Sequence, residues 1–598
     1  MIMTAALIPL AGMVGGGVDV SRMYILKTRM QHACDAGALA GRKSMGGGTW
    51  GYSNYYPRTQ AESFFDGNFE WDKTAKTGMF GSSGVSRTFT ENAGRVTGTA
   101  TASIPMTLMR IFGRTSETIS VTCDADMRLP NTDVMFVLDT TGSMDCDAKG
   151  QNCGSAGANS KMSGLRVAVK CFYEIVARLD TNADCTTGTP SGGTGTQVQI
   201  RFGFMPYSTN VNVGYLLPTS YFVDRWEYQT REPSTAYGQW TLLRFYERGQ
   251  YSACDPAPAN TATREYRVLG PTRTYAGKTY GPYYCVIEYR DRTSFQWHYD
   301  QLPIDVKLLK NGTLWNRSFQ WPIDTNGANR TVTWDGCIEE RETVRATSYD
   351  PLPAGAKDLD IDMIPTPGDA TTQWAPALKE VVYGRSKTPG GYWSAISTDE
   401  SYTPAEYERL PAFCPTEATR LKQWPTASEF DSYVDSLRPT GNTYHDIGML
   451  WGARFMSPTG MFRADNEFTP QGGDIERHMI FMTDGDAVSA PCDYTAYGVA
   501  FFDKRTTTDV GSASGCGGAR TSLNNQINAR FSGLCEAVKN KNITLWVISF
   551  GDGSNTDTET RLSECATPTR FFTARDSAAL QQTFKSIADQ ISQLRLTK

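Results

Sequence analysis

The chain has 598 residues, with 58 Lys and Arg against 63 Asp and Glu and a formal net charge of -5. That balance, with no basic block anywhere along the chain, leaves no electrostatic footprint for DNA or RNA and excludes nucleic acid as a partner. The length exceeds one core and implies roughly three or four domains, while 14 cysteines without a C-x-x-C pair or a Cys/His cluster of zinc spacing exclude a zinc site and favour disulfides in an oxidising compartment.

Met1 to Val18 holds no charged side chain and is an apolar segment near the lower limit for crossing a bilayer. No basic region precedes it, and Arg22, Lys27 and Arg29 follow it, so the positive-inside rule alone places the bulk of the chain in the cytoplasm. Cysteine usage argues the opposite, and the conflict resolves if residue 1 falls inside the membrane segment. From Asp19 to about Ser44 the spacing predicts a continuing helix with Met23, Leu26, Met30, Ala33, Gly37 and Ala40 on one face, where Gly37 permits close packing. The stretches Asp19-Val20-Ser21-Arg22-Met23-Tyr24 and Met30 to Ala40 resemble the N-terminal region of TadG-type proteins of the tight-adherence (Tad/Flp) pilus-assembly system. That resemblance implies an N-terminal membrane/Tad-like helix over residues 1-46, with the apolar segment as its anchor, and a bacterial source. The alternating runs RVTGTATASIPM and TISVTCDADM then read as strands of a small α+β module over 47-130.

Asp133 to Met144, DVMFVLDTTGSM, is a run of β-formers that ends in Asp139, Thr141 and Ser143. A continuous apolar run reads as a buried parallel strand, and ligands of open α/β sheets gather beyond the carboxyl ends of such strands. Ser163 to Leu179 is a helix with a core-facing stripe, and Gln197 to Met205 is the next strand. About 300 residues separate Ser143 from Thr443, too many for a connection, so an inserted domain is expected at 216-429. Its Trp226, Trp240, Trp297, Trp315, Trp321, Trp334, Trp374 and Trp393 read mostly as core, and its short runs between Gly, Pro and Asn predict mostly β structure. Asp358, Asp360 and Asp362 alternate, and on a strand would form a solvated face rather than a second cation site.

Past the insertion, Gly441-Asn442-Thr443 precedes a helix from Asp446 to Phe455, and the strand His478 to Met482 ends in Thr483, Asp484, Gly485 and Asp486. A helix around Leu523 to Lys539, strands at Thr544 to Phe550 and Arg570 to Thr573, and a helix from Ser577 to Leu594 complete an alternating series. Such alternation predicts an α/β fold with a doubly wound parallel sheet, built discontinuously from 131-215 and 430-598. Sequence-near disulfide candidates are Cys146 with Cys153, Cys171 with Cys185, Cys254 with Cys285, Cys492 with Cys516 and Cys535 with Cys565.

Asp139, Thr141, Ser143, Thr443 and Asp484 thus bring five hard oxygen donors from three loops, a set suited to Mg²⁺ or another divalent cation such as Mn²⁺ or Ca²⁺. They resemble the metal-ion-dependent adhesion site of von Willebrand factor type A domains, D-x-S-x-S, a Thr and a T-D-G aspartate, with Thr141 in place of the first serine. The resemblance implies a von Willebrand factor A-like sheet in which the hydroxyls touch the metal and the aspartates act mostly through water. A protein partner's acidic side chain completes the shell, and that partner would be a pilin or another assembly component. Only 4 histidines occur and none lies in a nucleophile motif, so binding is expected rather than catalysis. His445 could approach the metal loop, as a metal-assisted hydrolase would need, but reads more simply as a neutral helix-start residue. Together these features imply a bacterial inner-membrane protein with a single N-terminal anchor and its bulk in the periplasm or at the cell surface, the alternative being a displayed adhesin for a host or matrix ligand.

Overall fold

The computed structural model describes residues 2–45, 50–70, 72, 74, 76–92, 95–126, 131–178, 200–248, 253–385, 401–469, 475–511, 520–591 and 595–597. Helix α1 (Ile2–Met45) runs without a break through the expected apolar segment and beyond it, followed by α2 (Tyr52–Phe69). Side chains of α1 are described from Gly16 onward, so most of the expected membrane segment lies outside the described side chains; among the described residues no helix is long and apolar enough to cross a membrane. Strands β1 (Ser83–Asn92), β2 (Arg95–Pro105) and β3 (Ser116–Asp126) form an antiparallel sheet under the two helices.

Leu26, Met30, Ala33 and Ala38 of α1 pack with Ala61, Phe65 and Phe69 of α2 on Phe89, Val96, Ala100 and Val121 of the sheet. The expected helix face is therefore the buried one. At Gly37 a Cβ would sit 2.5 Å from the Phe89 ring and 2.8 Å from the Ala61 carbonyl, so only glycine lets α1 approach so closely. Asp19, 2% exposed, accepts from the backbone N–H groups of Thr107 (2.9 Å), Leu108 (3.0 Å) and Met109 (2.8 Å), while Arg22 reaches the carbonyl of Phe80 (3.1 Å). The Asp-x-Ser-Arg stretch thus clamps the helix to the loop between β2 and β3. Those backbone donors, above all Met109, hold the Asp19 carboxyl below its usual range. Its stabilisation is therefore present above the ordinary carboxylate pKa and lost as pH falls through the depressed one. Asp19→Asn should lower the melting temperature at neutral pH by several degrees and flatten the acid limb of the melting curve; an acid limb of unchanged steepness would refute this role.

The second body is a six-stranded sheet. Its strands are β4 (Asn131–Asp139), β5 (Ile200–Tyr207), β12 (Thr419–Lys422), β13 (Ile475–Gly485), β14 (Ile543–Gly553) and β15 (Phe571–Ala574), in the order β12-β5-β4-β13-β14-β15. All neighbours are parallel except β12, which runs antiparallel at the edge. Alternation along β4 sends Val134, Phe136 and Leu138 to one face, against α3 (Lys161–Arg178), α4 (Ala427–Ser436) and α8 (Ser577–Ile591). Met135 and Val137 go to the other, against α5 (His445–Met456) and α6 (Arg520–Lys539). Helices on both faces make the sheet doubly wound, with α7 (Thr556–Cys565) between β14 and β15. The edge strand β12 lies inside the span the sequence assigns to the insertion, because Thr419 and Lys422 pair with Phe204 and Phe202.

Between β5 and β12 the regular elements of the described residues are mostly strands, joined by long loops and short 3-10 turns. Strand β6 (Arg225–Tyr237) pairs with the second half of β9 (Lys278–Asp305), β7 (Thr241–Glu247) and β8 (Arg264–Tyr275) both pair with its first half, and β10 (Ser318–Asp324) pairs with β11 (Ala328–Thr333). Trp297, Trp334 and Trp374 are fully buried, Trp226, Trp315 and Trp321 partly so, and Trp393 lies outside the described residues. Trp334 and Trp374 belong to the same continuous core as Met135 and Val137 of the sheet.

The aspartate series departs from expectation. Asp358 sits in the 3-10 turn Lys357–Leu359 rather than a strand, is completely buried, and meets Arg530 of α6 at 2.5 Å; Asp362 holds Lys541. A period-2 reading fails on a tight turn, and an arginine on a distant helix supplies the counter-charge that solvent was expected to give. The disulfides Cys146–Cys153, Cys254–Cys285 and Cys535–Cys565 form as the spacing suggests. Cys171 and Cys492 are disulfide-bonded, but the expected partners at 185 and 516 lie outside the described residues. Two further bonds, Cys34–Cys123 and Cys337–Cys414, join residues remote in sequence.

Candidate metal centre

β4 places Asp139 at its last residue, and the chain turns through Thr141 into the 3-10 turn Gly142–Asp145. Met482 of β13 lies opposite Leu138, so Thr483 and Asp484 emerge beside Asp139 at the carboxyl edge of the sheet. The Thr483 hydroxyl donates to Asp139 Oδ2 (2.9 Å), and the other oxygen, Oδ1, accepts the Thr141 backbone N–H (2.9 Å). Ser143 Oγ donates to Asp484 Oδ1 (2.9 Å), which leaves the Thr141 hydroxyl to donate to Ser143 across 2.9 Å.

Four of the five expected ligands are therefore gathered into one hydrogen-bonded group. Thr443 is brought alongside by backbone: Gly142 N–H donates to Gly441 O (2.9 Å) and Thr440 N–H to Thr140 O (2.7 Å). Gly441 has φ of 73° and a Cβ there would lie 2.7 Å from the Thr209 hydroxyl, which reserves the turn for glycine. Thr443 itself exchanges backbone hydrogen bonds with Val488, and among the described residues no hydrogen bond ties its hydroxyl to the other four ligands.

Two carboxylates buried side by side repel. Burial first, and Asp484 second, push the Asp139 carboxyl up to about 7. Hard oxygen donors and surplus buried negative charge are what a small divalent cation neutralises, so the residues fit such a group. One positive charge is already present: Lys161, the first residue of α3, places Nζ 2.8 Å from Asp484 Oδ2, and both side chains are 2% exposed. His445, at the start of α5, lies 2.9 Å through Nε2 from the Thr483 hydroxyl. Because that hydroxyl gives its proton to Asp139, His445 must be the donor; among the described residues its Nδ1 has no hydrogen-bond partner. Burial, with Arg561 second, pushes its pKa down to about 3, so the ring is neutral.

Lys161, Thr483 and His445 stand outside the ligand set expected from sequence. The signal for Lys161 is its own misfit, since a cation at a helix N-terminus opposes the helix dipole unless a nearby anion compensates. Thr483 belongs to the T-D-G motif, but its role is hidden there because its partner Asp139 lies on another strand.

Residues 1–43 match the family model for Tad, the Flp pilus-assembly TadE/G-like proteins. No curated protein matches the chain. Among solved structures, the pilus adhesin SpaC from Lactobacillus rhamnosus GG is 9% identical with a TM-score of 0.29, over 85% of this chain and 34% of that one. The chain thus spans about a third of SpaC. The PilB minor pilin from Streptococcus sanguinis is 12% identical with a TM-score of 0.29, over 87% of this chain and 83% of that one. Proximal thread matrix protein 1 from the mussel byssus, with a zinc-occupied MIDAS motif, is 12% identical with a TM-score of 0.17, over 31% of this chain and 36% of that one.

Proposed function

We propose that the chain is a cell-envelope component of a Tad/Flp-type pilus-assembly system, whose von Willebrand factor A-like sheet captures a protein partner through a divalent cation. Asp139, Thr141, Ser143, Thr443 and Asp484 would hold Mg²⁺, or Mn²⁺ or Ca²⁺, and the cation would supply an open coordination position for an acidic side chain of a pilin or assembly protein. The observation that carries this reading is the meeting of Asp139, Thr141, Ser143 and Asp484 at one sheet edge, from segments more than 300 residues apart, within 2.9 Å hydrogen bonds. The family match over residues 1–43 supports the pilus setting. Disulfides support an oxidising compartment, and an N-terminal anchor in the inner membrane with the bulk in the periplasm accommodates both. The chain's own groups at the site position and orient; a neutral His445 buried behind Thr483 braces the Asp139 carboxylate and needs no catalytic role.

The test is a pull-down from envelope fractions with and without chelator, repeated with Asp139→Ala and Asp484→Ala. Capture of the partner should fall by about tenfold or more in chelator and in either variant, and return on adding Mg²⁺. Capture indifferent to chelator and to both substitutions would end the metal-dependent reading. Protease shaving of intact cells decides between the periplasmic component and a displayed adhesin: cleavage of the sheet domain on intact cells would favour the adhesin.

A further inference from the structure

We infer that Lys161 is a tethered cation that closes the metal centre, and that a divalent ion binds only by displacing its ammonium from Asp484. The inference rests on the metal-centre reading above and adds a device that regulates it.

Both oxygens of Asp484 are engaged, Oδ1 by the Ser143 hydroxyl at 2.9 Å and Oδ2 by Lys161 Nζ at 2.8 Å. In this arrangement Thr141 donates to Ser143 and Ser143 donates to Asp484, so the two hydroxyls present protons where a cation needs lone pairs. Admitting a metal requires that chain of donors to rotate and Asp484 to release a partner. Lys161 is the partner whose charge opposes the incoming ion. With Lys161 in place, Asp139 and Asp484 retain one unbalanced negative charge when both are ionised; a divalent ion alone balances them, and both cations together leave a surplus positive charge in a buried space.

Displacement is a matter of the side chain alone. The Lys161 backbone N–H is fixed to the Cys146 carbonyl at 2.9 Å, and Cys146 is tied to Cys153, so the loop from the metal turn to α3 is anchored. The flexible four-carbon stem with its compact ammonium is suited to swing from such an anchor, as a guanidinium in a fixed fork would not be. A centre built this way stays folded and charge-compensated without metal, and its metal affinity is set by the work of moving one lysine.

The experiment uses the full chain. Mn²⁺ and Mg²⁺ are titrated calorimetrically into the native protein, Lys161→Met and Asp484→Ala. In parallel, the acylation rate of the Lys161 amine is followed by peptide mass spectrometry with and without saturating Mg²⁺, which needs no substitution. Lys161→Met should bind Mn²⁺ about tenfold tighter or more than the native chain, and Lys161 acylation should rise severalfold on metal saturation. Equal affinities for native and Lys161→Met, with binding still abolished in Asp484→Ala, would overturn the lysine device and leave the metal centre standing. A Lys161 amine that stays equally protected in the metal-saturated native chain would overturn the device in the same way. No binding by any of the three proteins would overturn the metal centre itself, and the inference with it.

Discussion

Arg454→Met is expected to destabilise the chain by about 3–5 kcal/mol, the usual cost of stranding one member of a buried ion pair. Arg454 of α5 meets Glu340 at 2.6 Å, and both are 0% exposed. Glu340 also accepts from the indole N–H groups of Trp451 (2.6 Å) and Trp374 (3.0 Å), so one carboxylate joins a sheet helix, the insertion and their shared aromatic core. Removing the guanidinium leaves that carboxylate in a site with no solvent to stabilise it. The double variant Arg454→Met with Glu340→Gln removes the charge but, because the two indoles donate to different carboxylate oxygens, keeps an acceptor for only one of them, and should recover part of the loss. Urea unfolding of the two variants checks this; a double variant no more stable than the single one would mean that packing of the Arg454 stem, not charge, carries the effect. The consequence extends to the candidate site, because α5 begins two residues after Thr443 and also carries Asp446, paired at 2.9 Å with Arg530, which in turn holds Asp358 at 2.5 Å. Two buried ion networks therefore fix the helix that presents the Thr443 loop to the insertion.

Legibility in the sequence follows the reach of each signal. The central runs Val134 to Leu138, Met479 to Met482 and Leu545 to Ile548 of three sheet strands are buried on both faces, and a run without polar interruption reads as a buried strand without further information. The edge strand Thr419–Lys422, TRLK, has four residues and a solvated side, so neither length nor period marks it, and the span expected for the insertion is too long at that end. Asp139, Thr141, Ser143 and Asp484 are visible because hydroxyls and carboxylates crowd at strand ends. Lys161 is not, because the residue that gives it meaning is 323 positions away. Asp358 misleads for a related reason: alternation implies a strand, whereas the backbone there is a tight turn and the partner, Arg530, sits on a helix far along the chain. The N-terminal stretch Asp19 to Arg22 is recognisable by resemblance alone, and its physical use is the anchoring of three backbone N–H groups on one carboxylate.

Removing the Cys34–Cys123 disulfide should cost the N-terminal module on the order of 4–5 kcal/mol in the chain-entropy account, which scales with the loop closed. The bond spans 89 residues and joins α1 to β3, closing a loop that contains α2, β1 and β2. Proximity in sequence gives no hint of it; it exists because α1 lies across the sheet with Cys34 and Cys123 both buried in the shared core. Cys34→Ala with Cys123→Ala is the cleaner variant, since serine would place hydroxyls in that core. Heated or titrated with denaturant, the double variant should show the module unfolding ahead of the six-stranded sheet, while the sheet keeps its own midpoint. A single unshifted transition would show that helix packing alone holds the module together. The bond matters beyond its free energy because of where it lies. The segment that matches the pilus-assembly family ends at residue 43, beyond Cys34. Any pull applied through α1 passes into the sheet by a covalent link, with the Asp19 clamp between α1 and the β2–β3 loop as a second attachment nearer the N-terminus. With both in place, sliding α1 along the module requires breaking a covalent bond. With the disulfide gone, the same load rests on non-covalent contacts alone, the Asp19 and Arg22 hydrogen bonds, the bond from Gln31 to the Thr122 carbonyl and the apolar packing of α1 on the sheet, and the helix should detach under forces the native chain withstands.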